Sequence, residues 1–298
     1  MGSNAVDSLP PPATLLHRAL LSVACVSPLN PVAGLTFKSV TFLNLLLKGS
    51  MRQAKRLIKW PLHDCVVGVK FHDFHYSFHC PKGMDSIVFM NPYFHEHDVT
   101  SLVCRILRDG DTFIDVGAHA GLYTLIAGKK VGGTGRVISV EPNPENLRVL
   151  RANVQLNNLR NIRVVDKAAG DAKRTIRFYY SLSDTALTSA LRSWGKGQRE
   201  PIAEQFDAET TTLDDIYLES INPKNVKIVK VDTEGYDLRV LEGAKRMLSK
   251  TRYVVVEENT KDVVEFLRRN DYRVELLQQS RYLLGTNTDL TRNDRDCS

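Results

Sequence analysis

Five carboxylates stand where a short apolar run ends or nearly ends. They are Asp115 in Phe113-Ile-Asp-Val-Gly117, Glu141 after Val137-Ile-Ser-Val140, Asp166 after Ile162–Val165, Asp232 after Val226-Lys-Ile-Val-Lys-Val231, and Glu257 after Val254-Val-Val256. Such runs read as buried strands, and open α/β sheets bind ligands beyond the carboxyl ends of their strands. Acids gathered on that edge suit a ligand that carries hydroxyls, amines or positive charge. A carboxylate or histidine in reach of a hydroxyl can also remove its proton, an effect of about 10²–10⁴ in rate. Asp232 and Glu234, in Asp232-Thr-Glu-Gly-Tyr-Asp237, are the best-placed proton acceptors, with His119 a further one. The structural alternative is that both acids cap the helix starting near Tyr236, since acids are favoured at helix starts.

The turn Gly117-Ala-His-Ala-Gly121 lies between a β-branched strand and an apolar helix that begins at Leu122. Its glycines let backbone approach a ligand, and the helix offers free amides, as in the opening βα unit of a doubly wound sheet. Glu141 then ends the second strand, the usual place for a ribose-diol acceptor. Asp166 ends the third, where an adenine amino group needs an acceptor, and Asn143-Pro144 starts a helix over 144–157. A dinucleotide brings a pyrophosphate, which wants amides without carboxylates, and prefers Gly-x-Gly-x-x-Gly. S-adenosylmethionine carries hydroxyls, an amine and positive charge. The acid-first Gly-x-x-x-Gly turn and the carboxylates favour it, with Asp115, Gly117, His119, Gly121, Glu141, Asn143 and Asp166 as its binding set.

The elements that must position these residues alternate strand and helix through 111–285, which predicts a Rossmann-like α/β sheet, mostly parallel with an antiparallel edge strand. Asp98 is expected to cap a helix ended by Gly110, and 173–180 to form an extra strand. Residues 181–209 read as a long polar connection of the kind used as a lid or substrate loop. Helices are expected over 237–249 and 260–270, with two closing strands near 272–285. The domain reading is a partly disordered helical extension over 1–60, a β cap over 61–97, the catalytic domain over 98–285 and a polar tail over 286–298.

A chain of 298 residues with 43% hydrophobic and 25% charged residues is ordinary for a globular protein. Net charge of +6 suits an anionic partner or simply solubility. The five cysteines form no CxxC pair, which fits a reducing, cytoplasmic setting without a disulfide framework. Residues 19–37 are uncharged but broken by Ser27-Pro-Leu-Asn-Pro31, so two short helices are expected there rather than a membrane span. With Lys48, Arg52, Lys55, Arg56 and Lys59 they make 15–59 a candidate for peripheral membrane contact. Seven of the eight histidines fall between His63 and His119. In a strand His75 and His79 stand roughly 13 Å apart, too far for one ion, so no metal site is expected.

Several blocks in order resemble the FkbM-type methyltransferases: Phe113–Gly121, Val140-Glu-Pro-Asn-Pro144, Leu213-Asp-Asp215, Lys230-Val-Asp-Thr-Glu-Gly-Tyr236 and Leu241-Glu-Gly-Ala244. The resemblance covers about 95–285. His119 stands where such proteins often have Asn, and Glu257-Glu-Asn259 where Glu-x-His is common. It implies a class I methyltransferase fold, S-adenosylmethionine as cofactor, and O-methylation of a hydroxyl on a sugar, glycolipid or secondary metabolite. An NAD-dependent oxidoreductase, an RNA-directed methyltransferase and a non-catalytic binder of membrane or nucleic acid remain as alternatives. The first lacks a third turn glycine and a Tyr-x-x-x-Lys pair, and the second lacks an aromatic-basic reading module.

Overall fold

The structure, a computed structural model, describes residues 23–26, 65–71, 74–80, 96–180, 188–190, 204–220, 225–280 and 282–293. The chain divides into two units, Met1–His95 and Glu96–Ser298. Apart from Val23–Val26, the expected extension over 1–60, with its disorder and its basic residues Lys48, Arg52, Lys55, Arg56 and Lys59, lies outside the described residues.

In the first unit β1 (Val23–Val26), β2 (Cys65–Phe71) and β3 (Phe74–Cys80) form an antiparallel sheet in that order. Alternation buries Val69, Phe71, Tyr76 and Phe78 on one face. The expected helical extension is corrected at Val23–Val26. There two β-branched residues pair with Val66–Val69 as a strand, so the sheet draws a strand from the segment read as helical.

The second unit opens with α1 (His97–Ile106), then β4 (Thr112–Val116), α2 (Leu122–Lys130), β5 (Arg136–Val140), α3 (Pro144–Leu156) and β6 (Ile162–Val165). A side sheet follows, β7 (Ala168–Ala169), β8 (Thr175–Tyr180) and β9 (Glu204–Thr211), and then α4 (Leu213–Ser220). β10 (Val226–Val231), α5 (Asp237–Glu242), α6 (Lys245–Leu248), β11 (Thr251–Val256) and α7 (Lys261–Arg269) lead to β12 (Tyr272–Leu276), β13 (Leu283–Asn287) and α8 (Thr288–Asn293).

The main sheet runs β12-β13-β11-β10-β4-β5-β6. β11, β10, β4, β5 and β6 are parallel, while β13 is antiparallel to both of its neighbours and lies one place in from the edge. The central strands are Val/Ile-rich because helices cover both faces. Every residue of β4 is buried, and Val226, Ile228, Val229, Val231 and Val254–Val256 are fully enclosed. Asn143 caps α3, accepting from the Glu145 amide at 2.9 Å with Pro144 at the first helical position, and Thr260 caps α7.

Four expectations are corrected. Asp98 does not cap α1 but lies in its first turn, because Glu96 takes the cap position in the left-handed region. The Asp98 carboxylate instead accepts the amides of Gln279 and Ser280 at 3.1 and 3.0 Å. Part of the polar connection 181–209 is strand, since Glu204–Thr211 pairs antiparallel with Thr175–Tyr180. The helix over 237–249 breaks into α5 and α6 at Gly243, where a Cβ would stand 2.0 Å from the Gly170 carbonyl oxygen. Finally, residues 286–293, read as polar tail, finish β13 and form α8. Among the described residues no helix is long and apolar enough to cross a membrane.

Candidate active site

The glycine turn and the acid loop after β10 are joined through their backbones. Gly117, at φ 75, donates to the Val140 carbonyl at 3.0 Å, and the Asp232 amide donates to Val116 at 3.1 Å. A Cβ on Gly117 would lie 1.8 Å from the Asp232 carbonyl oxygen, so only glycine permits this approach. Gly121, at φ 97, then starts α2.

Glu141 sits behind the turn, 4% exposed. Its carboxylate accepts from the amides of His119 and Asn143 at 2.8 and 2.9 Å and from Asn146 Nδ2 at 3.3 Å. Burial pushes it up to about 7, although these three donors work the other way. Asn143 Nδ2 donates to Thr188 Oγ1 at 3.0 Å. Asp115 is fully buried; Oδ2 accepts from Thr124 at 2.6 Å, while Oδ1 makes no hydrogen bond and has Lys230 Nζ at 3.9 Å. Burial raises Asp115 against the pull of that ammonium. Asp166 ends β6 but is exposed and pairs with Arg151 at 2.9 Å. His119 joins this group through its amide, at φ 50.

The second group is built on side chains. Lys230, 2% exposed in β10, donates to Asp232 Oδ2 at 2.7 Å. Tyr282, just before β13, donates to the same oxygen at 2.8 Å. Carboxyl oxygens of Asp232, Glu234 and Glu257 lie within 4.8 Å of one another. Burial pushes Asp232 up, but the Lys230 ammonium, with hydrogen bonds from Lys230, Glu257 and Tyr282, holds it below the usual carboxylate range. Burial, then the charges of Asp232 and Glu234, pushes the Glu257 carboxyl well above the usual carboxylate range, and its hydrogen bond with Asp232 adds to that rise. Burial opposes the charge on Lys230, yet Asp232 and Asp115 together hold its pKa above the ordinary value.

Asp232 is thus turned toward Lys230 and Tyr282 and does not stand at the cap position of α5, which Tyr236 takes without a side-chain cap bond. Asp237 ties down the loop instead. It accepts from the Thr233 and Glu258 amides at 2.7 and 3.0 Å, and burial pushes its carboxyl up to about 6. Glu234 adopts φ 53, and its carbonyl accepts from Ser189 Oγ at 2.8 Å. Glu96 Oε2 accepts from Tyr123 at 2.6 Å, and Lys230 Nζ stands 4.7 Å over the Tyr123 ring.

Sequence reasoning put Asp232, Glu234 and Glu257 on one sheet edge, and the structure brings their carboxyl oxygens within 4.8 Å of one another. It missed Lys230, Tyr282, Tyr123, Glu96 and Asp237. Only Lys230 carried a signal, a lysine at the fifth position of a valine-rich buried strand.

A family model described as the methyltransferase FkbM domain matches residues 115–274. The hexuronic acid methyltransferase AglP of Haloferax volcanii is 26% identical over 193 residues, 62% of this chain and 73% of that protein. Methyltransferase 1 of Beauveria bassiana is 26% identical over 149 residues, 45% of this chain and 59% of that protein. A solved FkbM methyltransferase from Methylobacillus flagellatus aligns with a TM-score of 0.40 at 18% identity, over 62% of this chain and 50% of that chain.

Proposed function

Since the chain belongs to the FkbM methyltransferase family and is a methyltransferase that uses S-adenosylmethionine, we propose that it O-methylates a hydroxyl of a sugar, glycolipid or secondary metabolite with Asp232 as the proton acceptor. The observation that carries this reading is the Asp232 carboxylate. It is kept ionised by Lys230 at 2.7 Å and oriented by Tyr282 at 2.8 Å, on the loop that packs on Gly117.

The residues present fit the cofactor. Glu141, at the end of β5, would accept the ribose diol, and Asn143 and the Gly117–Gly121 turn with His119 would line the cofactor beside it. The Asp115 carboxylate, with one oxygen outside any hydrogen bond, stands beneath this turn. Asp166, exposed at the end of β6, would serve the adenine amino group. When bound, the cofactor supplies a methyl group on a sulfonium that is already a strong electrophile. What the chain must add is position, worth up to about 7–11 kcal/mol when geometry is good, and removal of the hydroxyl proton. Asp232 would take that proton, Glu234 would orient the acceptor from the same turn, and His119 is the alternative base.

Neighbouring negative charge also bears on the acceptor. A hexuronic acid, the substrate in AglP's name, offers both hydroxyls and a carboxylate. Three acids within 4.8 Å disfavour an anion beside them, so a hydroxyl would be presented to Asp232. Radiolabelled methyl transfer to a panel of glycosides, uronosides and polyketide alcohols tests the reading. Methylation only at carboxylate or amine nitrogen would defeat it. Peripheral membrane contact through residues 15–59 is a separate proposal, resting on five basic residues at about 1 kcal/mol each near anionic lipid. Equal co-sedimentation of the full chain and a Δ1–60 form with anionic liposomes would remove it.

A further inference from the structure

The Tyr282 hydroxyl, 2% exposed, lies 2.8 Å from Asp232 Oδ2 and 3.0 Å from Glu96 Oε1. A phenol has one proton to donate. Two carboxylate oxygens face it, so at any moment only one can receive that proton, and the other contact is stable only if its carboxyl donates to the phenol oxygen. The surrounding groups leave this choice open. Lys230 donates to Asp232, and Tyr123 donates to the far oxygen of Glu96. The meeting is also built into the fold. Glu96 is held at φ 48 and ψ 48 before α1, while Asp98 in the same helix clamps the amides of Gln279 and Ser280, two residues ahead of Tyr282.

We infer that Tyr282 is a proton relay that hands the proton taken up at Asp232 on to Glu96. The inference rests on the reading of Asp232 as the base. In the first step the acceptor O–H bond breaks and an O–H bond forms on Asp232. That proton then moves to the Tyr282 oxygen as the phenolic proton moves to Glu96 Oε1, which regenerates the phenol and the Asp232 carboxylate and leaves Glu96 neutral. The onward step has a physical reason. Asp232 faces Lys230, Glu257, Glu234 and Asp115 besides Tyr282, and the ammonium at 2.7 Å disfavours a proton staying there. Glu96 faces two phenols, Tyr123 and Tyr282, and it too feels the Lys230 ammonium, but less than Asp232 and Asp115 do, so a proton is opposed less there than on Asp232.

The test is carboxyl NMR on the full-length protein labelled with ¹³C at Asp and Glu side-chain carboxyls, titrated with pH. Glu96→Gln and Asp232→Asn spectra assign the two signals. Tyr282→Phe removes the shared donor, and both midpoints are expected to rise, by about half a unit to one unit each. A rise at only one of them, or at neither, overturns the relay. Tyrosine labelled at Cζ gives a second reading without substitution: the Tyr282 signal should step at both midpoints, and a step at one alone also overturns it. Neither measurement needs the acceptor or the methyl donor. Failure here would leave Asp232 as the base, whereas normal turnover by Asp232→Asn would remove the base and leave the sharing intact.

Discussion

Around Glu141 the partners are largely backbone: the amides of His119 and Asn143, with the side chain of Asn146. Around Asp232 they are side chains brought from Lys230, Glu257 and Tyr282, with Glu96 one step further out. The first group, the proposed cofactor receptor, is made by two consecutive strand–loop–helix units. The second is a network of charges in which each member's protonation depends on the others. On the proposed roles, binding and chemistry would share one sheet edge but stand on different kinds of support, and substitutions should separate them.

The largest expected effect is on rate alone. Asp232→Asn should fold, bind S-adenosylhomocysteine normally and lose about 10²–10⁴ in turnover. Calorimetric binding beside methyl-transfer assays reads both, and a joint loss would erase the distinction between the groups. Lys230→Met comes next, because it leaves the buried Asp115 and Asp232 carboxylates without their cation. Breaking a buried pair in this way costs about 3–5 kcal/mol, visible in chemical denaturation. An unchanged midpoint would mean that the network is dispensable for stability.

On the receptor side Glu141→Ala should weaken S-adenosylhomocysteine binding by about 1.5–3 kcal/mol while leaving the Asp232 network intact. Glu141 also sets a pH signature. Its folded value, about 7, lies above the ordinary 4.5, so the native state binds more protons than the unfolded chain between those values. Its contribution to stability is full below about 4.5 and falls away as pH rises through about 7. Urea melts across that window should show the decline in the parent and a flatter profile in Glu141→Gln. The smallest effect is expected for Asn143→Ala, about 1 kcal/mol of stability from the lost helix cap. If it also reduced turnover, the Thr188 contact of Asn143 would have a part in the chemistry.

The receptor was legible in the sequence because its parts obey local rules. Glycines mark the turn, Asn-Pro marks the start of α3, and Glu141 follows a valine run. Asp232 and Glu234 were legible for the same reason, as acids directly after an apolar strand. Tyr282 and Glu96 were not, because their roles depend on β13 lying beside β11 and on the clamp from Asp98, and no short-range pattern encodes either. Asp98 itself was misread because an acid at the start of a helix looks alike whether it serves its own amides or those of a loop far along the chain. Gly243 looked like a tolerated helix glycine, and only the nearness of Gly170 explains the break there.

The position of β13 has a consequence for biogenesis. This strand is wedged between β11 and β12, so the main sheet cannot be completed until residues well past β12 have emerged from the ribosome. The Gly117 turn, Glu141 and even the Lys230–Asp232 pair belong to segments made earlier, and long-range pairings of this sort are late events in folding. Tyr282 opens the strand that fills the gap. A truncation between the end of β12 at Leu276 and Tyr282 would therefore leave Gly117, Glu141, Lys230 and Asp232 in the chain and remove the phenol that reaches Asp232.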